Sequence, residues 1–242
     1  MQNMKYDVIV VGGGSAGCVA ASRLSEDPDR QVLLLEAGPD PDPIPPPIRD
    51  GSQQARALLE TPFVTMYPTQ RKNDQSTYYK LAGTIMGGGS SVNAMAVVRP
   101  TKHDLDSWAE KGNAGWTYDE CLPILNRIES DQDYGSESYH GTDGPLYVIR
   151  PFRLDMEASE PVRAFMDRAV EMGMPWCPDL NVAAPFGVCG SAYNIKDGVR
   201  QSTNVAYLDP ARSRPNLHII AEASVTSLVI EGNRVNHVIY EH

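Results

Sequence analysis

The stretch that decides the fold spans residues 8–38; it opens with VIVVGGGSAGCVAASRL (8–24) and closes with VLLLEAG (32–38). The run from Val8 to Val11 is continuously apolar, which is typical of a parallel strand buried on both faces. Helical spacing follows from Cys18 to Leu24, and a second apolar run then leads to an acidic residue. The order of strand, glycine turn, helix and strand predicts a βαβ unit.

Three glycines in the turn, with the spacing Gly12-x-Gly14-x-x-Gly17, give this unit a predicted ligand. Gly12 permits a tight turn, Gly14 lets the backbone approach a diphosphate, and Gly17 lets helix and strand pack closely. Glu36 ends the second strand, where an acid accepts hydrogen bonds from a ribose diol and repels the 2′-phosphate of NADP. The predicted contacts of this unit are Gly12, Gly14, Ser15, Ala16, Gly17, Glu36 and Ala37. The unit alone leaves FAD and NAD open.

Composition bounds the class of protein. The chain has 242 residues, enough for one large domain or two small ones, and 41% of them are hydrophobic, so a substantial core is expected. The formal net charge of −10 argues against non-specific binding to nucleic acid or to an anionic membrane.

Cysteine usage and apolar run lengths indicate a reduced, cytoplasmic setting. The four cysteines, Cys18, Cys121, Cys177 and Cys189, form no close pair, so we expect free thiols and no metal site. The first apolar run is too short for a signal-peptide core, and no later run reaches the length of a membrane span.

Several further elements are predicted along the chain. Residues 39–47 hold six prolines and should be extended and irregular, as a linker or, as we favour, a loop over the ligand. Thr117 opens a capping box and a helix to about Glu129, and Pro161 starts a helix to Gly173 whose apolar residues should be core. We also expect strands at 146–149, 188–195, 225–230 and 235–240, with a hairpin turn at Asp197-Gly198.

A second glycine turn separates the remaining cofactor alternatives. Residues 83–95 read GTIMGGGSSVNAM, and together with VIVVGGGSAG and LLLEAG they resemble the glucose-methanol-choline (GMC) oxidoreductases. The resemblance covers essentially the whole chain. The family members whose sequences look most similar are choline-dehydrogenase-like and pyridoxine-oxidase-like. It implies that FAD is the dinucleotide.

The resemblance also assigns residues to the flavin. It implies contacts to the flavin and its diphosphate from Met86, Gly87, Gly88, Ser91, Val92, Asn93, Ala94, Met95 and Ala96, and an adenine contact from the backbone of Val225. Some relatives attach FAD through a histidine in this turn, and the matching position here is Val92, which implies non-covalent FAD. The chain departs from the family pattern at Thr84, Met86 and Val97.

The fold class implied is α/β, α+β overall. A Rossmann-type FAD-binding domain would be joined by part of a second, mixed-sheet substrate domain, and the whole would be truncated. The expected divisions are an FAD-binding domain at 1–145 with a lid at 39–80, a partial substrate domain at 146–212, and a return to the first domain at 213–242.

By the same resemblance, the full-length protein oxidises a primary alcohol by hydride transfer to flavin N5, with oxygen or another electron acceptor as partner. The catalytic histidine is expected beyond His242, so this piece alone should be inactive. His140 is interpreted as a structural loop residue, and Trp108 and Trp116 as core or domain-contact anchors. The alternatives are a hydroxynitrile lyase-type activity, a non-catalytic FAD-binding subunit completed by a second chain, and an NAD-dependent dehydrogenase. The identity of the alcohol stays open.

Overall fold

A computed structural model describes residues 5–71, 74–150 and 158–242. They form two compact units: the first contains the described residues up to Ala94 and from Gly198 onwards, and the second spans Met95–Asp197. The expected divisions at residues 145 and 212 concern function, which compactness does not test, so they stay a prediction.

The strands of both units are numbered in chain order. They are β1 (Val8–Val11), β2 (Val32–Leu35), β3 (Val64–Arg71), β4 (Asp74–Gly83), β5 (Ala96–Val97), β6 (Glu129–Asp131), β7 (Leu146–Val148), β8 (Ala192–Tyr193), β9 (Ile195–Lys196), β10 (Val199–Arg200), β11 (Leu217–Ile220), β12 (Ser224–Glu231) and β13 (Arg234–Glu241).

The helices are numbered in the same way. They are α1 (Ser15–Leu24), α2 (Pro46–Arg49), α3 (Gln54–Leu59), α4 (Gly89–Val92), α5 (Lys102–Glu110), α6 (Tyr118–Ile128) and α7 (Glu160–Glu171). A π-helical turn spans Asn204–Leu208, and 3₁₀ turns span Gly51–Gln53 and Asp209–Ala211. No described helix is both long and apolar enough to cross a bilayer.

The first unit is built on a parallel three-stranded sheet with the order β1-β2-β11. The predicted βαβ unit is confirmed, and all four residues of the central strand β2 are buried. The expectation that β1 is buried on both faces is wrong. Because β1 forms an edge of this sheet, it is only half buried, and Val11 is 52% exposed.

Side chains of β2 alternate between the two faces of the sheet, as the pleat of a strand requires. Val32 and Leu34 pack against Cys18 and Ala21 of α1. Leu33 and Leu35 point the other way, into a cluster that includes Ala223 and side chains of the β12–β13 hairpin. Each fully buried leucine contributes about 2 kcal/mol to folding, so β2 holds both layers together.

The proline segment belongs to the first unit. Residues 39–45 are irregular as predicted, but the expectation fails for Pro46 and Pro47, which begin α2. Proline is tolerated in the first helical turn because its missing N–H would have no helical partner there. Ile48 of α2 and Ala57 of α3 pack with Ile85 and Val92, next to the second glycine turn. The segment is therefore an integral part of the unit.

One hairpin of the first unit was not predicted. Strands β3 and β4 pair antiparallel, with Val64 opposite Gly83, and they expose large apolar side chains such as Met66 and Tyr79, each 63% exposed. The other expected hairpin is confirmed, since β12 and β13 pair around Gly232 and Asn233. Asp197 and Gly198 both have positive φ, as the predicted turn requires.

In the second unit, short ladders and capped helices replace a long sheet. The capping box of Thr117 and Glu120 is confirmed at the start of α6. The predicted strand over 188–195 is wrong, because the chain pairs there only in short pieces: Val188 makes one bridge to Trp176, and β8 pairs with β5.

Two further interpretations of the second unit are corrected. The rings of Trp108 and Trp116 lie tilted against each other with centroids 5.3 Å apart, and they are 49% and 47% exposed, so they are not core residues. A role in contact with another domain stays a prediction. Helix α7 has no buried residue, and its Phe165 is 72% exposed. Val162 is also exposed, and Met166 and Ala169 are only half buried, so these residues are not part of the described core.

The second unit instead buries a cluster of charges around His140, whose side chain is fully buried. Its Nδ1 lies 2.6 Å from Glu129 Oε1 and 3.3 Å from Asp131 Oδ2, and its Nε2 lies 2.8 Å from Asp179 Oδ2. A carboxylate only accepts hydrogen bonds, and a neutral imidazole donates from one nitrogen alone. The geometry therefore requires a protonated ring, and the structural interpretation of His140 fits it.

Two arginines complete this cluster. Arg99 lies 2.5 Å from Glu129, and Arg150 lies 2.9 Å from Asp131 and 2.6 Å from Asp179. Three carboxylates thus meet two guanidinium groups and one imidazolium. Glu129, Asp131 and His140 are close enough together for a metal ion, but the neighbouring cations already neutralise the carboxylates. The arrangement is an ion-pair cluster that ties β6, β7 and the following loops together.

Burial would lower the pKa of His140, but hydrogen bonds to Asp179 and Glu129 and the charge of Asp131 raise the pKa to about 9. Burial would likewise raise the pKa of Asp179, but bonds from His140, Asn181 and Arg150 lower that pKa to about 2. The contribution of His140 is therefore complete below the ordinary histidine pKa and is lost as the pH rises through about 9.

We expect the free energy of unfolding of the second unit to fall by on the order of 3 kcal/mol between about pH 6.5 and pH 9.5. Urea denaturation at a series of pH values measures this. His140→Gln should remove the slope and lower stability at neutral pH, whereas His103→Gln, at an exposed histidine, should leave both unchanged. An unchanged slope in His140→Gln would contradict the assignment.

Candidate functional site

The first glycine turn joins β1 to α1 in the manner the spacing predicts. Gly12 has a φ of +94°, and its N–H donates to Leu35 O at 2.7 Å. A Cβ on Gly17 would lie 1.8 Å from Gly12 O, so α1 packs directly on the turn. Only glycine permits this approach at position 17.

The amino end of α1 is open. Its N-cap is Gly14, no side chain caps the helix, and no acidic residue lies in its first turn. Ser15 and Ala16 are exposed, and a Cβ on Gly14 would meet no atom within 4 Å. The first N–H groups of a helix have no partner within it and carry a partial positive charge. This end therefore suits a diphosphate.

Glu36 connects the end of β2 to the first glycine turn. Its Oε2 accepts from Gly13 N at 2.6 Å, and its Oε1 accepts from Gly38 N at 2.8 Å. The residue is only 7% exposed. Each carboxylate oxygen has a second lone pair, so a ribose diol can still donate to Glu36. The next residue, Ala37, is exposed.

The second glycine turn lies in direct contact with the first. Gly87 N donates to Gly13 O at 2.7 Å, and a Cβ on Gly88 would lie 2.7 Å from Gly14 Cα. Gly87 and Gly88 have φ values of +87° and +52°, a region that favours glycine. We call the two turns, residues 12–17 and 83–92, the glycine bends. Folding brings them together although 65 residues, 18–82, separate them.

The structure places the residues assigned to the cofactor in two groups. The first unit holds Gly12, Gly14, Ser15, Ala16, Gly17, Glu36, Ala37, Met86, Gly87, Gly88, Ser91, Val92, Asn93, Ala94 and Val225. Of the second bend, Met86, Gly87, Gly88, Ser91 and Val92 are buried. Asn93 and Ala94 follow α4 and are exposed. Val225 is half buried on β12, two residues after Ala223, whose N–H donates to Glu36 O at 2.8 Å.

Met95 and Ala96 are not grouped with these residues, because they belong to the second unit. Met95 is buried with a φ of +61°, and Ala96 is exposed on β5. The assignment of individual residues to a cofactor stays a prediction for both groups.

Sequence reasoning missed a polar cluster beside the second bend. Arg212 binds both oxygens of Asp40, at 2.6 and 2.8 Å, and donates to Asn204 Oδ1 at 2.8 Å. Burial would lower the pKa of Arg212, but Asp40 and Asp209 raise the pKa above its usual value. These residues line an open cleft of about 320 Å³. No motif spacing pointed to them, because the partners are far apart in the chain.

The described histidines offer no base at the glycine bends. His218 lies on β11 with its Nδ1 2.8 Å from Tyr6 Oη, and both ring nitrogens of His140 are held in the ion-pair cluster of the second unit. His103, His237 and His242 are exposed. The four cysteines are free thiols, as predicted, and burial raises the pKa of Cys18 to about 11. The described part of the chain therefore fits dinucleotide binding and presents no catalytic dyad at the bends.

Comparison with known proteins places this geometry in a family. The family described as GMC oxidoreductase matches residues 6–241. An oxygen-dependent choline dehydrogenase of Vibrio vulnificus is 35% identical over 98% of this chain and 42% of its own length. An alcohol dehydrogenase [acceptor] of Pseudomonas putida is 36% identical over 97% of this chain and 42% of its own length.

Among solved structures, pyridoxine 4-oxidase from Mesorbium loti superposes with a TM-score of 0.87 at 34% identity. That match covers 97% of this chain and 45% of the oxidase. The chain thus spans less than half the length of the relatives it matches. The Rossmann-type fold class is confirmed, as is the resemblance stated on the two glycine bends. The chain belongs to the GMC oxidoreductase family.

Proposed function

We propose that this chain binds FAD without a covalent bond and forms the cofactor-binding part of an enzyme that oxidises primary alcohols. The observation that carries the proposal is the contact between the glycine bends, where Gly87 N donates to Gly13 O and Gly88 lies against Gly14. Two stretches of side-chain-free backbone beside an open helix end leave room for a flat, anionic dinucleotide.

Each part of the site has a role in this proposal. The amino end of α1 holds the diphosphate, and Glu36 accepts hydrogen bonds from the ribose next to adenine. The backbone of Val225 lies beside the adenine. The residues of the first unit that line the flavin are Met86, Gly87, Gly88, Ser91 and Val92 of the second bend, followed by Asn93 and Ala94. Val92 is a buried hydrocarbon side chain and offers no nucleophile for a covalent bond.

The proposed substrate class rests on the relatives. Their names describe oxidation of choline, of an alcohol and of pyridoxine, and choline and pyridoxine both carry primary hydroxyl groups. Bound FAD supplies N5 of its ring as the acceptor of a hydride from the alcohol carbon. The residues of this chain orient the cofactor and exclude water from one side of it. An electron acceptor, oxygen or another, is the second partner.

We also propose that the 242 residues alone do not turn over an alcohol. General-base catalysis needs a group within hydrogen-bond reach of the substrate hydroxyl. The two buried or half-buried histidines are engaged elsewhere, His218 with Tyr6 and His140 with Glu129 and Asp179. The base is expected from residues outside this chain.

Glycine substitutions can distinguish positions that contact the cofactor from positions that are needed for packing of the fold. Gly14→Ala should change the free energy of unfolding of the apo chain by less than about 1 kcal/mol, because φ is −73° and no atom lies within 4 Å of the new methyl group. The same substitution should weaken FAD binding by about tenfold or more, because the methyl group occupies the surface that a diphosphate would contact. Fluorescence titration and chemical denaturation measure the two effects.

Gly89→Ala is the matched control, since position 89 has the same free space and lies outside the predicted contacts. It should leave both quantities near the wild-type values. Gly17→Ala should instead destabilise the apo chain, because its Cβ would overlap Gly12 O. FAD binding by Gly14→Ala at wild-type strength would remove the α1 end from the site.

The bond to FAD is tested separately. The purified chain mixed with FAD and freed of excess cofactor should be yellow. Trichloroacetic acid should release all of the flavin to the supernatant. Flavin that stays in the precipitated protein would disprove the non-covalent assignment.

Turnover is tested on the same yellow protein without oxygen. Addition of choline, pyridoxine or benzyl alcohol should leave the flavin absorbance unchanged, whereas dithionite should bleach it. Bleaching by any of the alcohols would show that the chain carries its own base. Cyanide release from a cyanohydrin would indicate lyase chemistry instead.

A further inference from the structure

Arg200 is the largest side chain among the fully buried residues of the described chain, with 1% exposure. Its Nε donates to Ile48 O at 2.9 Å, and its Nη1 donates to Asn93 O at 2.6 Å and to Asn93 Oδ1 at 3.0 Å. Ile48 lies in the last turn of α2, and Asn93 is the C-cap of α4. A cation is favourable at a helix carboxyl end, so Arg200 ties the proline segment to the second bend.

No carboxylate in the described part of the chain neutralises this guanidinium. Every described acceptor of Arg200 is a carbonyl or amide oxygen, and no ion pair to it occurs in the ranges the structure describes. Its Nη2 is buried without a hydrogen-bond partner. Burial lowers the pKa of Arg200 to about 10, which still leaves the group charged at neutral pH. Among the described residues, the first unit therefore buries a full positive charge that no side-chain carboxylate balances.

The position of the charge suggests what compensates it. Arg200 lines a cavity of about 10 Å³ together with Met86 and Ser91 of the second bend. That volume holds about one water molecule, so no phosphate group can enter. Arg200 Nη1 also lies 3.4 Å from Ser90 O, two residues beyond Gly88, which packs on Gly14 at the open end of α1. The short backbone segment from Ser90 to Gly88 thus connects the charge to the surface proposed for the diphosphate.

We infer that Arg200 is a specificity-determining residue: its buried charge favours an anionic dinucleotide over a neutral flavin at the glycine bends, acting through space from behind the second bend. The inference rests on the proposed binding of FAD. In a poorly polarisable interior a charge acts over longer distances than in water. Arg200 also positions α4, but a positioning effect alone would weaken anionic and neutral ligands equally.

The test compares two ligands on the 242-residue chain, FAD and riboflavin, the second of which lacks the diphosphate. Fluorescence titration gives both dissociation constants, with displacement of FAD used for the weaker ligand. Arg200→Gln should weaken FAD binding about tenfold and riboflavin binding less than about threefold. At about pH 6, Arg200→Lys keeps the charge and should restore most of the preference for FAD.

Arg214→Gln is the matched control. Arg214 also donates to a carbonyl and a hydroxyl oxygen, those of Ser22 and Ser25, but it lies near the other end of α1. Its substitution should leave the ratio of the two dissociation constants unchanged. Equal weakening of both ligands in Arg200→Gln, or no weakening of FAD, would overturn the inference.

A second measurement tests the inference even if the Arg200→Gln protein does not fold. A desolvated lysine loses its proton well below its ordinary pKa. In the Arg200→Lys protein, FAD binding should therefore weaken between about pH 6 and pH 9, while wild-type binding stays level. A level profile in both proteins would overturn the inference. Failure of the wild-type chain to bind FAD at all would instead refute the proposed function, before any variant is compared.

Discussion

One backbone hydrogen bond, from Gly87 N to Gly13 O, organises the first unit of this molecule. It forms only because neither partner has a side chain in the way, and because Gly88 can approach Gly14 to a distance that any Cβ would forbid. Everything proposed for the site depends on this contact. The proline segment packs against the second bend, and the central sheet supports the first bend. Glu36 fixes the first bend by accepting a hydrogen bond from Gly13 N.

Local sequence patterns predicted the first bend well, because its parts are neighbours in the chain. The apolar runs of β1 and β2, the glycine spacing and the acid at position 36 are each decided by contacts within one βαβ unit. The resemblance assigns both bends to one FAD and so implies that they lie near each other, which their spacing in the chain does not. The periodicity of a sequence carries no information about which distant turns meet, and the same limit hid Arg212 with Asp40 and Arg200 with Asn93.

Two of the failed predictions, those on the burial of α7 and of β1, share one cause. The spacing in α7 predicts an apolar face correctly, but a pattern does not say whether another element covers that face, and no residue of α7 is buried in the described fold. The continuous apolar run of β1 likewise suggested two covered faces, whereas β1 forms an edge of its sheet. In the second unit the interior holds the ion-pair cluster around His140. Its six charged residues are spread over residues 99–179, so no local sequence motif predicts the cluster.

Glu36 has a consequence for how such a protein could change over evolution. Its two oxygens already accept hydrogen bonds from Gly13 N and Gly38 N in the described fold. The same carboxylate is also expected to accept hydrogen bonds from the ribose hydroxyls. A residue with both duties is difficult to exchange. A substitution that admitted a 2′-phosphorylated nucleotide would also loosen the turn that creates the binding surface. The preference for a nucleotide and the stability of the turn are thus coupled through one residue. A switch of preference would require compensating changes in the loop after β2.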